Sequence, residues 1–119
     1  MSYEIWKFRT KRFTTIVTAE PEWDLDLSWD DTGEVSEKID SGEYEVFCAK
    51  CDVLLDGNEI ASDYLGQCIY ANIDDFRDHI GMNGKGHGSY FSDMVRAAIA
   101  EARLYIRDME SKPKLRGII

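Results

Sequence analysis

No stretch of this 119-residue chain approaches the ~20 consecutive apolar residues that a membrane-spanning helix needs. An integral helical membrane protein is therefore not expected. The opening residues Met1–Lys7 lack the unbroken apolar core of a secretory signal. The cysteines number only three, Cys48, Cys51 and Cys68, an odd count without the spacing of a disulfide framework. Both absences predict a protein that stays in a reducing, cytoplasmic compartment with free thiols. No internal repeat and no linker divides the chain.

Hydrophobic residues at 44% and charged residues at 31% suit a globular chain rather than a disordered one. The length is that of one domain, enough to bury about two-thirds of the unfolded surface. The net charge of −9 is unevenly placed. Residues 20–45 carry eleven acidic side chains and one basic one, Lys38, a local balance of −10, while the remainder stands at +1. Such a field repels nucleic acid and attracts basic surfaces.

Tyr3–Phe8 and Phe13–Ala19 are rich in aromatic and β-branched residues and read as a hairpin turning at Arg9–Arg12. Its basic turn, with Lys7, adjoins the acidic segment in sequence and is expected to meet it in space. Trp23, Leu25, Leu27 and Trp29 alternate with Asp24, Asp26, Ser28 and Asp30, the period-two pattern of a strand with one wet face. Val35–Ile39 suits one helical turn. Glu43–Leu55 is the strongest strand, Asp56-Gly57 a tight turn, and Glu59–Tyr70 the return strand, with Gly66 at a bulge. Asn72 caps a short helix that ends at Gly81, and Ser89 caps a longer one over Tyr90–Glu110. The apolar stripe of the longer helix is Phe91, Met94, Val95, Ala98, Ala102, Tyr105, Ile106 and Met109. Strands first and helices last predict an α+β fold: an antiparallel β-sheet of four to five strands with two C-terminal helices packed on one face. The domain spans 1–110, and Ser111–Ile119 is expected to be a mobile tail.

On a strand, Asp24, Asp26 and Asp30 would form a row of carboxylates spaced ~6.6 Å apart per two residues. That row can imitate a nucleic-acid backbone and occupy a basic groove; the plainer reading is a solvated face that blocks edge pairing. Asp24, Asp26, Ser28 and Asp30 also sit at calcium-loop positions 1, 3, 5 and 7. However, Trp29 stands where the loop needs Gly, and Val35 where it needs Glu. Cys48-Ala49-Lys50-Cys51 is a CxxC that Cys68, His79 and His87 could complete, but residues three apart on a strand face opposite sides. Neither a metal nor another cofactor is expected. Gly84, Lys85, Gly86, His87, Gly88 and Ser89 run into a helix N-terminus, whose N–H groups favour an anion. The run is nonetheless neither a Walker loop nor a GxGxxG after a strand. No spacing ties a nucleophile to a base, so no catalytic residue is assigned and no enzyme is expected.

The runs Asp24–Asp30, Ser41–Tyr44, Asp63–Gly66, Cys68–Tyr70, Asp78-His79 and Gly88–Arg96 resemble a group of small acidic proteins carried by bacteriophages and mobile elements. The resemblance spans roughly residues 3–107. It implies a bacterial host cytoplasm and an accessory role such as that of anti-CRISPR or anti-restriction inhibitors. The leading expectation is a non-enzymatic binding protein, contacting the basic surface of a host protein or nucleoprotein complex. The contact residues would be Asp24, Asp26, Trp29, Asp30, Asp31, Glu34 and Glu37, with Trp23 as a further anchor. Direct contact with nucleic acid or a membrane is not expected. The alternatives are a nucleotide- or phosphate-sequestering protein using the glycine-rich loop 81–89, and a homodimer paired through the Tyr44–Leu55 strand.

Overall fold

Along Phe13–Glu20, buried Thr15, Val17 and Ala19 alternate with half-exposed Thr14, Ile16 and Thr18. This period of two belongs to a strand with one face in the core. The computed structural model describes residues 2–22, 24–78 and 90–110. Four strands, β1 (Tyr3–Arg9), β2 (Phe13–Glu20), β3 (Glu45–Leu55) and β4 (Asn58–Tyr70), form an open antiparallel sheet in the order β1-β2-β3-β4. Helix α1 (Glu34–Asp40) interrupts the connection between β2 and β3; α2 (Ile73–Arg77) and α3 (Tyr90–Glu110) follow the sheet. The expected α+β architecture is thus the observed one, with four strands.

Helix α3 lies over β4 and β3. It buries Phe91, Met94, Ala98 and Ala102, spaced three or four apart on one helical stripe. They meet Val17, Ala49, Cys51, Val53 and Ala61 from the sheet. The stripe fades after Ala102: Ile106 is half-buried, and Tyr105 and Met109 are exposed. Asn72 caps α2 by accepting the Asp75 N–H at 3.0 Å, and Glu45 Oε2 accepts the Ile73 N–H at 3.0 Å. Phe76 of α2, 1% exposed, packs edge-on against Phe47, Tyr70 and Phe91 at 5.5–5.7 Å between ring centroids.

Register shifts mark both edge strands. In β1 the register slips between Glu4 and Trp6, so Ile5 and Trp6 both reach the core. Trp6 then packs on Phe91 at 5.6 Å and stacks on Phe8 at 6.1 Å. A bulge of this kind, with Lys7 and Arg9 beside it, discourages edge-to-edge pairing. In β4 one slip falls at Ile60 and another at Gly66–Gln67, opposite Cys48, where the sequence placed a bulge. Asp56 (φ 51°) and Gly57 (φ 86°) both lie in the left-handed region and close the β3–β4 hairpin as a two-residue turn.

Candidate functional site

The acidic segment leaves β2 at Glu20 and rejoins the sheet at Glu45. Contrary to the alternating pattern, residues 24–30 form no strand: they run as irregular chain with turns at 28–29 and 31–32. The reason lies in the aspartates, whose short carboxylates bond nearby backbone N–H groups and compete with a ladder. Asp26 Oδ1 accepts the Ser28 N–H at 2.9 Å, and this bond holds the Asp26 carboxyl below its ordinary pKa. Asp30 accepts from Ser36 N–H at 3.0 Å and from Val35 N–H at 3.4 Å, so it tethers the start of α1. Trp29 Nε1–H donates to the Asp26 carbonyl at 3.0 Å.

The bulge in β4 holds the segment against the sheet. Gln67, at φ 53°, turns its N–H out of the ladder, and Glu22 Oε2 accepts it at 2.6 Å. Gln67 Oε1 in turn accepts the Asp26 N–H at 3.3 Å. A Cβ on Gly66 would stand 3.3 Å from Glu22 Oε2, so glycine lets the carboxylate approach.

The residues expected to contact a partner therefore divide. Asp26 and Asp30 spend their carboxylates on the segment's own backbone. Asp24, Asp31, Glu34 and Glu37 are exposed, as are Asp40 and Glu43 beyond them. Eight of the eleven carboxylates in residues 20–45 are exposed, and the segment's one cation, Lys38, sits 3.9 Å from Glu34 and over the Tyr44 ring. The negative field is thus not neutralised from within. Trp29 is 51% exposed with its indole N–H already bonded, which leaves its ring facing outward. Trp23 lies outside the described residues.

The basic hairpin turn does not meet this segment. Arg12 pairs with Asp56 at 2.9 Å, tying the β1–β2 turn to the β3–β4 turn and keeping the Asp56 carboxyl low. The acidic excursion leaves from the other end of β2, about 23 Å away at 3.3 Å per residue.

Cys48 and Cys51 point to opposite faces of β3, Cys51 into the core and Cys48 away from it. Among the described residues no group of three or more His, Cys, Asp and Glu side chains is placed to hold a metal ion. Burial pushes the Cys51 and Cys68 thiols up to about 12, and Cys48, less buried, is raised as well. Iodoacetamide at pH 8 is therefore expected to label Cys48 slowly and first, with Cys51 and Cys68 reacting only in denaturant. Mass mapping of timed samples checks this, and early labelling of Cys51 would contradict the packing.

The glycine-rich run Gly84–Ser89, with His79 and His87, lies outside the described residues, as does the 111–119 segment. The sequence reading missed two features. On the sheet face away from α3, Lys50 Nζ sits 3.3 Å from Asp52 Oδ1 and 3.5 Å from Glu59 Oε1, over the Tyr64 ring. On the α3 side, a cavity opens over the cross-strand row Phe8, Thr15 and Val53. The first could have been sought in the alternation of β3, which puts Lys50 and Asp52 on one face. The second has no sequence signal. No described helix is long and apolar enough to cross a membrane. No protein-family model matches the chain, and no curated protein or solved structure gives a match to it.

Proposed function

We propose that this protein is a non-enzymatic inhibitor that occupies a basic surface on a nucleic-acid-handling or defence complex of a bacterial host, in the setting of a phage or mobile element. The observation that supports this reading most is the acidic excursion, where Asp24, Asp31 and Glu37 are exposed and unpaired among the described residues and the same segment exposes the ring of Trp29. Clustered like charge speeds encounter with an oppositely charged surface. An exposed tryptophan with its polar edge already bonded supplies the apolar anchor that such contacts favour. Tethering by Glu22, Asp26 and Asp30 limits the ordering that binding would require.

The test is capture from a low-salt bacterial lysate with the wild-type protein and with D31K/E34K/E37K. These three positions leave the Asp26 and Asp30 tethers intact. Nucleic-acid-handling proteins should be retained by the wild type, lost on reversal, and released at about 1 M salt, where screening acts beyond ~3 Å. Equal retention by the reversed protein would sink the reading.

A further inference from the structure

Helix α3 lies mainly over β4 and β3, and toward the β1–β2 turn Phe8 stays 55% exposed on the helix side. Between them lies a cavity of about 300 Å³, at the lower end of the range for small-molecule sites. Its floor is the row Phe8, Thr15 and Val53, which are direct cross-strand partners. Its wall comes from Ile99, Arg103 and Ile106, which share one face of α3 at spacings of three and four.

Two polar groups in this apolar setting lack partners. Thr15 is the one buried polar residue among those described, at 6% exposure; its hydroxyl makes no hydrogen bond to another described residue and keeps some contact with solvent. Arg103 is exposed at the rim and makes no ion pair among the described residues. A guanidinium only donates, and a threonine hydroxyl can donate. The complementary group is an acceptor, and the one that matches a guanidinium best is a carboxylate. A second hollow, of about 530 Å³, shares Phe13 and Ile106 with the first and gives room for more apolar chain. Its own charges do not compete for an anion: Arg12 is taken by Asp56, and Glu110 repels.

We propose that this cavity binds an amphiphilic carboxylate, its apolar body on Phe8, Val53, Ile99 and Ile106 and its head group on Arg103 and Thr15. The site is separate from the acidic excursion and does not depend on its role. The test titrates the full chain with sodium decanoate, and separately with 1-decanol, by amide NMR. Decanoate should give saturable one-to-one shifts at Phe8, Thr15, Val53, Ile99 and Ile106. R103Q should weaken decanoate about ten-fold or more while changing decanol less than about two-fold. T15V should weaken decanoate about three-fold. Absence of saturable shifts, shifts confined to other residues, or a decanoate affinity untouched by R103Q would overturn the proposal.

Discussion

Replacing Phe76 with alanine is expected to destabilise the protein by about 3–5 kcal/mol, the range for a large aromatic removed from a packed core. Against a total of about 5–15 kcal/mol for a small domain, that is enough to unfold much of the population near physiological temperature. The effect is large because Phe76 joins parts of the chain that local forces would not join. Helix α2 has five residues, too few to hold together as an isolated helix. Its single buried side chain meets Phe47 from β3, Tyr70 from β4 and Phe91 from α3. Truncation leaves a ring-sized void and removes three edge-on contacts together. Urea unfolding of F76A and F76L separates the two losses, since leucine keeps most of the volume without the ring. A loss below about 1 kcal/mol for F76A would show that the site collapses around the void and that Phe76 is not the hub described.

The second large effect is expected at Lys50. Burial works against its charged form, but Asp52, Tyr64 and Glu59 more than offset this and push its pKa up. Asp52 is the strained partner. Burial and then the neighbouring Glu59 carboxyl raise its pKa above the ordinary 3.8, and Lys50 opposes them. Its Oδ1 is shielded from solvent and makes no well-aligned hydrogen bond; its close cation is Lys50 Nζ at 3.3 Å. K50M keeps the stem over Tyr64 but removes the charge between two carboxylates, and should destabilise the protein by about 1–3 kcal/mol at pH 7, between the surface and buried limits for a broken ion pair.

The pH dependence follows from linkage. A carboxyl whose folded pKa is raised contributes most below its unfolded value of 3.8, and that contribution is lost as pH rises through the folded value. Without Lys50 the Asp52 value rises further. The gap between K50M and wild type should therefore narrow as pH falls from 7 to below about 4, as the Asp52 carboxyl takes up its proton. K50M/D52N should recover part of the loss at pH 7. Urea midpoints at the two pH values decide it: an equal gap at both would mean that Lys50 acts through its stem alone.

Much of the fold is legible in the residues because it rests on local rules. The alternation of β2, the Asp56-Gly57 turn, the break at Gly66 and the Asn72 cap each follow from backbone geometry within a few residues. The period of two over residues 23–30 failed because alternation is necessary but not sufficient for a strand. A strand also needs a neighbour with free hydrogen-bonding groups. Here the β4 edge that the segment meets is broken at Gln67, and Asp26 and Asp30 satisfy backbone donors locally. The outward carboxylates were legible as charge but not as geometry. Only the fold shows that Asp26 and Asp30 are spent inward while Asp31 and Glu37 are not. The cavity was hidden altogether, since Thr15 in a strand of alternating residues has the pattern of any core position.

The meander has a consequence for how the chain reaches this state. Every strand pairs with its neighbour in sequence, and two of the three connections are tight turns. Loop-closure entropy grows by only about 0.6 kcal/mol for each doubling of length. Even so, the long excursion from Glu20 to Glu45 makes β2–β3 the slowest pairing to close on entropic grounds. The two hairpins are thus natural early units, and the central ladder of the sheet, Phe13–Glu20 against Cys48–Leu55, forms as they dock. The acidic excursion is then the last part of the sheet's connectivity to settle. Its hold on Gln67 through Glu22 is made only once both hairpins are in place.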